Sequence, residues 1–398
     1  MDDLKYWVAL HRVSGLGPVR FGKLETRFGT LDHAWQASRT DLLAAGLDQK
    51  TVEEVITERA RIDPDAEMDR LEKARVKPVH RRSPDYPPRL AETYDPPSVI
   101  YLKGTLLAAD QRAVAVVGTR SPTVEGREIA RRLSYDLATA GVTVVSGMAR
   151  GIDGLAHQAA IDAGGRTVAI MGGGLNSIYP PEHTTLAGSI AEHGAVISEY
   201  PLGMRPKAEH FPRRNRVISG ISLGVLVVEA DMDSGAMITV KWALEQDREV
   251  FAVPGSVLSP KSNGSNWLIQ QGAKLVSDCQ DVLEELNIAV MGQPADATER
   301  KNASRPLSSR RAATPTPLTR SDAAALDRGV TKDSYEGLVL QAMADGPAYV
   351  DDITRSTGLP AATVSSVLTM LELRGTVRQT GPMQFVADAE RPRTSRRS

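Results

Sequence analysis

Two short turns, each between a predicted strand and a predicted helix, carry residues that could hold a phosphate. Gly118-Thr119-Arg120 follows the apolar run 114–117, and the stretch 146–153 follows the run 142–145. Small residues leave the backbone N–H groups of such turns open, and the next helix adds a positive potential at its N-terminus. An arginine in each turn, Arg120 or Arg150, adds a forked donor. Together the turns predict two neighbouring sites for one polyanion, although either alone is also typical of tight packing.

A third cluster places three arginines directly after an aromatic side chain. It reads Phe211, Pro212, Arg213, Arg214, Asn215 and Arg216, with Lys207 and His210 just upstream. Unpaired bases can stack on aromatic rings and arginine planes while cations follow the backbone, an arrangement that a duplex does not permit. The cluster therefore favours single-stranded nucleic acid, while the simpler alternative is a solvated charge run at the start of a helix.

A fourth loop is acidic and also precedes a predicted helix. Its carboxylates, from Glu229 through Asp231 and Asp233, could orient a ligand or the arginines. The pattern is more typical of helix capping.

Sequence signatures of common enzyme sites are missing. The chain has no G-x-x-x-x-G-K-[ST] loop and no H-E-x-x-H, and the glycine-rich stretch 172–177 ends in Ser177 where G-x-G-x-x-G needs glycine. The histidines at 157, 183, 193 and 210 lack metal-ligand spacing, and His157 is typical of a histidine packed within a helix. We therefore predict no catalytic residue, no metal and no cofactor.

Seven short apolar runs alternate with helical stretches and predict the element that positions these loops. The runs are 114–117, 142–145, 167–170, 195–197, 225–228, 250–253 and 274–276. Because they are continuously apolar, they are typical of strands buried on both faces, and the alternation with helices indicates a parallel sheet with right-handed crossovers. We predict a Rossmann-like, doubly wound α/β domain over 110–288. In such a sheet, ligands bind at the carboxyl ends of the strands.

The segments before this domain have a different character. Residues 1–75 show helical spacing of apolar positions and predict a small helical domain. Within it, Gly15-Leu16-Gly17-Pro18 could offer N–H groups to a phosphate or could be a plain helix–helix turn. Residues 76–109 are rich in proline, which predicts an extended connector or edge segment.

The segments after the domain predict a flexible linker, a winged helix and a basic tail. Residues 289–332 are rich in Ala, Thr, Ser, Pro and Arg, a composition typical of a flexible linker. Residues 333–388 have the helix-turn-helix pattern and strand signals of a winged helix, and 389–398 form a basic tail. The polar face of the presumed recognition helix, with Thr363, Ser365 and Glu372, has no basic residue before Arg374, so it is poorly suited to duplex DNA.

Composition fits a multidomain protein of a reducing compartment. A chain of 398 residues exceeds what one core usually organises, and its 41% hydrophobic and 24% charged residues are typical of folded proteins. Its net charge of -1 means that a polyanion site must arise from local clusters. A single cysteine, an acidic N-terminus and no apolar run near ~18 residues predict a cytoplasmic protein without membrane contact.

The motifs occur together in an order that is typical of one family. They occupy residues 115–120, 146–153, 167–183, 197–201, 211–220, 227–239, 251–255 and 264–269. With them the chain resembles the DNA-processing protein A (DprA/Smf) family over the whole predicted Rossmann-like domain. The flanking segments are similar to the SAM-like and winged-helix domains of that family, and the departures Met148 and Ala236 are conservative.

The resemblance implies a non-catalytic protein that binds single-stranded DNA and forms a homodimer through the Rossmann-like domain. It implies that the protein protects incoming strands and helps load the RecA recombinase onto them in recombination and natural transformation. Taking the resemblance and the loops together, we expect the DNA contacts to be Gly118, Thr119, Arg120, Ser146, Gly147, Arg150, Lys207, Phe211, Arg213, Arg214, Asn215, Arg216 and Asn266.

Two alternatives belong to other functional classes. Related Rossmann-like proteins of the lysine-decarboxylase-like group cleave nucleoside monophosphates and carry a P-G-G-x-G-T-x-x-E string. The corresponding stretch 233–240 lacks the paired glycines and has Val240 where the glutamate would stand. The second alternative is a transcription regulator that uses the winged helix, against which the uncharged recognition helix argues.

Overall fold

The computed structural model describes residues 3–288, 335–343, 346, 348–359, 364, 367–368, 371, 376–381 and 384–387. These residues belong to two compact units, one within Met1–Asn302 and the other within Ala303–Ser398. The predicted linker at 289–332, the basic tail and most of the presumed recognition helix lie outside the described residues.

The first unit begins with a group of short helices around an apolar centre. They are α1 (Leu4–His11), α2 (Pro18–Phe28), α3 (Leu31–Gln36), α4 (Arg39–Ala44), α5 (Gln49–Arg59) and α6 (Pro64–Lys73). Trp7 stacks on Phe21 with ring centroids 5.7 Å apart. Gly17 and Pro18 stand at the N-cap and first position of α2, as in an ordinary helix–helix turn.

A nine-stranded sheet forms the centre of this unit. Its strands are β1 (Lys77–His80), β2 (Val99–Gly104), β3 (Ala113–Val117), β4 (Thr143–Ser146), β5 (Thr167–Met171), β6 (Gly194–Ser198), β7 (Gly224–Val227), β8 (Glu249–Ala252) and β9 (Lys274–Leu275). The order across the sheet is β1-β2-β6-β5-β4-β3-β7-β8-β9. The pairs β1–β2 and β2–β6 are antiparallel and the others are parallel. The predicted Rossmann-like fold class is confirmed.

The proline-rich segment is part of this sheet and is more than a connector. It contains β1, the short helix α7 (Pro88–Ala91) and β2, and β2 pairs with β6 in register from Tyr101↔Ser198 to Gly104↔Ala195. Tyr101 belongs to the same apolar cluster as Trp7 of α1. The N-terminal helices therefore share a core with the sheet and are not a separate body.

Helices cover both faces of the sheet. They are α8 (Val124–Thr139), α9 (Ile152–Asp162), α10 (Thr184–His193), α11 (His210–Ile221), α12 (Gly235–Glu245), α13 (Asn263–Gln270) and α14 (Cys279–Glu285). In β3, Ala115 faces the core formed with α11, α12 and α13, whereas Val114 and Val116 face the core formed with α8, α9 and α14. Burial on both faces explains why the strands are continuously apolar.

The strand order changes direction beside β3. The chain runs from β3 through β4 and β5 to β6 on one side, then returns through α11 to place β7 on the other side of β3. The loops after β3 and β7 therefore diverge at the carboxyl edge of the sheet, where open α/β sheets bind ligands.

The second unit contains two helices and a small antiparallel sheet among its described residues. The helices are Tyr335–Gln341 and Val350–Thr357, and the strands are β10 (Ala348–Tyr349), β11 (Val377–Gly381) and β12 (Gln384–Ala387) in the order β10-β12-β11. Val339, Ile353, Val364 and Leu368 belong to its core. This arrangement fits the predicted winged helix.

None of the helices among the described residues is both long enough and apolar enough to cross a membrane.

Candidate nucleic-acid interface

A groove of about 850 Å³ opens at the change in strand order. It is lined by the turn after β3, with Gly118, Thr119 and Arg120, and by the loop after β7, with Asp231 and Ser234. Residues of α11 and α12 also line the groove, together with Ala149, Asp153 and Tyr179. We call this cavity the switch-point groove.

The turn after β3 uses its own N–H groups to hold its shape. The Thr119 N–H donates to the Glu229 carbonyl at 2.7 Å, and the Thr123 N–H donates to the Glu229 carboxylate at 2.9 Å. The Ser121 N–H donates to the hydroxyl of Thr119 at 3.2 Å. The sequence predicted that the N–H groups of this turn are open to a ligand. These three are not, because each is already bonded within the protein. Arg120 is exposed and lies four residues before α8, so its guanidinium is accessible to a ligand.

The turn after β4 presses directly against the turn after β3. The Ile152 N–H donates to the Thr119 carbonyl at 3.2 Å, and the Gly154 N–H donates to the Ala149 carbonyl at 3.2 Å. Gly151 has a φ of 78°, and a Cβ there would lie 2.4 Å from the Thr119 oxygen. Only glycine allows this approach. The first N–H groups of α9 are thus used within the protein and do not form a second open anion site.

Two aromatic side chains line the switch-point groove. The rings of Phe211 and Tyr179 lie 5.6 Å apart at an interplanar angle of 50°, and Tyr179 is 45% exposed. Such a pair can offer a ring face to an unpaired base. Phe211 was predicted as a contact. Tyr179 was not, although it stands in the motif 167–183 just after β5, where its exposure at the carboxyl edge could have been inferred.

Arg214 does not face the groove as a free cation. The side chain is buried, and its guanidinium donates to the carbonyls of Gly147 and Ile170. Burial lowers its pKa to about 10, so it stays charged near neutral pH. Burial also raises the pKa of the neighbouring Asp153 carboxyl, while the charge of Arg214 opposes that shift. The Arg214 side chain links the carboxyl ends of β4 and β5. The prediction that it contacts the DNA strand is corrected accordingly, because its guanidinium is used within the protein.

Arg216 is also buried, because α11 turns that side of the helix toward the protein. Its Nη2 lies 2.6 Å from Glu199 Oε2, and its Nε lies 3.3 Å from Asp95 Oδ2. Arg213 lies on the outer side of α11 with 53% of its side chain exposed, 4.0 Å from the same Glu199 oxygen. Of the three clustered arginines, only Arg213 is available to a ligand. Lys207 lies just before α11 and is 67% exposed.

The remaining predicted contacts hold the loops in place. Ser146 is buried and donates its hydroxyl to the Val116 carbonyl at 2.7 Å. The Asn266 side chain bonds the N–H and the carbonyl of Gly255, each at 3.0 Å. Asn215 lines the groove and donates to the Gly235 carbonyl at 3.2 Å. Arg150 is exposed, but its Nε lies 2.5 Å from Glu182 Oε1, so an anion would compete with that carboxylate.

The lining of the groove is mixed in chemistry. Phe211, Tyr179 and Ile218 supply apolar surface, while the Asp231 and Asp233 carboxylates can accept hydrogen bonds. Carboxylates repel phosphates, so the interior suits a nucleobase better than a backbone phosphate. The exposed Arg120 side chain adds a positive charge to the lining.

Comparison with known proteins identifies the family of the chain. A family model described as DNA recombination-mediator protein A matches residues 77–287. The chain belongs to this family. A second model, the DprA winged helix domain, matches residues 313–381. The first match begins at β1, which supports the finding that the proline-rich segment is part of the sheet domain.

Relatives in several bacteria cover different shares of the chain. "Protein Smf" of Synechocystis is 34% identical over 392 residues, which are 96% of this chain and 98% of the relative. "Protein Smf" of Escherichia coli is 49% identical over 215 residues, so the match spans 57% of that relative. The X-ray structure of DNA processing protein A from Streptococcus pneumoniae superposes with a TM-score of 0.64 at 36% identity, covering 71% of this chain and 97% of that chain.

Proposed function

We propose that this recombination mediator binds single-stranded DNA in the switch-point groove and protects it. The observation that carries the proposal is the presence of Arg120, Phe211 and Tyr179 around one cavity at the change in strand order. An aromatic pair can stack on the face of a base, and the guanidinium can donate hydrogen bonds to the adjoining phosphate. In a duplex the base faces are stacked on one another and cannot enter.

The proposed biological role is in recombination and natural transformation. The protein would hold incoming single strands and help to load RecA onto them, without catalysing a reaction itself. Membership of the recombination-mediator family supports this role. RecA filament formation on single strands, followed with and without the protein, tests it. Unchanged filament formation at saturating protein would argue against RecA loading.

We also propose a homodimer formed through the sheet domain. Two grooves side by side can hold one strand with a multivalent gain. Because β1 and β2 belong to the sheet, a fragment that tests this proposal must include residues 77–104. Light scattering should therefore compare the mass of the full chain with that of residues 1–302. Both should show twice the monomer mass, and a strictly monomeric fragment would remove this claim.

The nucleoside-monophosphate hydrolase alternative gains no support from the site. Val240, which stands where that group has its glutamate, is a buried apolar residue of α12. The Ser234 hydroxyl, at the start of the same stretch, accepts the Ala236 N–H and caps the helix.

The central experiment compares single-stranded and double-stranded DNA of one sequence across a salt series. The full chain should bind the single strand more tightly at every salt concentration. The slope of log K against log salt should fall by about 0.7 for each single-strand phosphate contact removed by mutation. Equal affinity for both forms would contradict the proposal.

A further inference from the structure

A second cavity, of about 620 Å³, lies next to the switch-point groove and differs from it in charge. Arg120 lines both cavities. In the second one it is joined by Arg127 of α8, Lys261 and His183. We call this the cationic cavity. Its lining contains no carboxylate among the described residues, in contrast to the three aspartates of the groove.

Two cations of this cavity, Arg127 and Lys261, have uncharged partners. Arg127 donates to the Pro122 carbonyl at 3.1 Å and 3.3 Å, and Lys261 Nζ lies 2.5 Å from the Ser121 carbonyl oxygen. Across the part of the chain that the structure describes, Arg120, Arg127 and Lys261 form no ion pair with a carboxylate. Elsewhere in this unit, exposed arginines such as Arg150 and Arg39 are paired with glutamates.

The fourth polar group of the cavity is His183, which has a defined orientation and is partly exposed. His183 lies with Nδ1 3.0 Å from the Met148 carbonyl oxygen, so that ring nitrogen is the donor. The opposite edge of the ring lies over Gly154, where a Cβ would be 2.8 Å from Cε1 and 3.1 Å from Nε2. The absence of a side chain at residue 154 therefore leaves room for the imidazole at the cavity wall.

Three cations without a carboxylate partner surround one opening, and carbonyls hold two of them, Arg127 and Lys261. Such an opening is complementary to a group with negative oxygens on several sides. A phosphate has this shape and charge, and a base does not. We propose that the cationic cavity binds a phosphate of the same single strand whose base enters the switch-point groove, with Arg120 between the two. This inference rests on the proposed function and adds a second phosphate position to it.

The phosphate could be an internal diester or the terminal monoester of a strand. Both present anionic phosphoryl oxygens, of which the monoester has one more, and the monoester carries a second charge near neutral pH. Oligothymidylates with and without a 5′- or 3′-phosphate distinguish the two sources. A loss of affinity with every oligonucleotide identifies an internal phosphate, and a loss confined to one phosphorylated form identifies that end.

The test uses the full chain with Arg127→Gln and Lys261→Gln combined. The matched control combines Arg27→Gln and Lys103→Gln, two exposed cations that line neither cavity and whose loss changes the net charge equally. The first pair should weaken single strands about tenfold and reduce the salt slope by about 0.7, the share of one phosphate. The control pair should change neither beyond experimental error, and Lys261→Arg should keep most of the affinity.

A second readout does not depend on the variants. Bound oligothymidylate should protect Lys261 from acetylation in the unmodified protein, as measured by mass spectrometry, while Lys103 remains reactive. The cationic cavity is not a phosphate site if the double variant matches its control in all arms and Lys261 is not protected, while Arg120→Ala still weakens binding. If Arg120→Ala also leaves binding unchanged, the proposed function itself is wrong.

Discussion

Arg216 and Arg213 lie three residues apart on α11 and have opposite environments. Arg216 is buried against Glu199, with Nη2 2.6 Å from Oε2, whereas 53% of the Arg213 side chain is exposed. Neighbouring arginines in one motif therefore perform different tasks, one within the protein and one at its surface.

Replacing each of these arginines by alanine should separate folding from binding. Arg216→Ala removes the cation 2.6 Å from the buried Glu199 carboxylate and leaves only Arg213, 4.0 Å away. Losing the close partner costs about 3–5 kcal/mol in the free energy of unfolding. Arg213→Ala should leave that free energy within about 0.5 kcal/mol, since it is a surface change, and should weaken single-strand binding. Urea unfolding and DNA titration of both variants check this. The assignment is contradicted if Arg213→Ala unfolds the protein or Arg216→Ala leaves its stability unchanged.

Arg120→Ala should weaken single-strand binding roughly ten- to a hundredfold, since a charge-assisted contact contributes about 1.5–3 kcal/mol. The salt slope should fall by about 0.7, and folding should be unaffected because the side chain is exposed. Arg120→Lys should recover only part of the affinity, because an ammonium group cannot make the forked contact. Unchanged affinity and slope in a folded Arg120→Ala protein would mean that DNA binds elsewhere.

Gly151→Ala should disrupt the contact between the turns after β3 and β4. Its Cβ would meet the Thr119 oxygen at 2.4 Å, so the turn that carries Arg120 must move. Gly164→Ala is the control, since Gly164 also has a positive φ, 67°, but has open space around its Cβ position. The control should lose about 1–2 kcal/mol of stability and keep its DNA affinity. Gly151→Ala should lose more stability and bind DNA more weakly, as thermal unfolding and titration will show.

Stability should decrease as the pH falls below about 6.5, partly because of His157. Burial lowers the pKa of this histidine to about 3, so the folded protein resists a proton that the unfolded chain accepts. The stability linked to this group is therefore present above pH 6.5 and is lost progressively toward the folded pKa, by up to about 1.4 kcal/mol per pH unit. His157→Gln should flatten the dependence of the unfolding free energy on pH between 6.5 and about 4.5. An equally steep dependence in the variant would exclude His157 as the cause.

Deleting residues 291–398 should leave most of the single-strand affinity, because both the switch-point groove and Arg213 belong to the first unit. The tail arginines at 391, 393, 396 and 397 could add nonspecific affinity, so the full chain with these four replaced by glutamine is the control. A loss of more than about 1.4 kcal/mol, or tenfold, on deletion would make the C-terminal region a principal DNA site.

The sequence predicted the strands of the parallel sheet well, because β3 to β7 are buried on both faces and therefore continuously apolar, although the edge strand β9 is exposed. Strands β1 and β2 were harder to identify. Their segment contains five prolines between residues 84 and 97, which is typical of a connector, yet β1 and β2 pair outside that proline-rich stretch. Pairing with β6 depends on a partner almost a hundred residues away, which local composition does not encode.

By itself the sequence determined the family, the Rossmann-like fold and the loops that meet at the carboxyl edge of the sheet. It could not determine which charged side chains of those loops reach the solvent. Residues 213, 214 and 216 have the same chemistry and adjacent positions, and only the rotation of α11 against the sheet buries Arg214 and Arg216 and exposes Arg213. Likewise, the sequence predicted open N–H groups in the turn after β3. In the structure Glu229, more than a hundred residues away, accepts the N–H groups of Thr119 and Thr123. Burial and hydrogen-bond pairing depend on distant parts of the chain, so tertiary structure decides them.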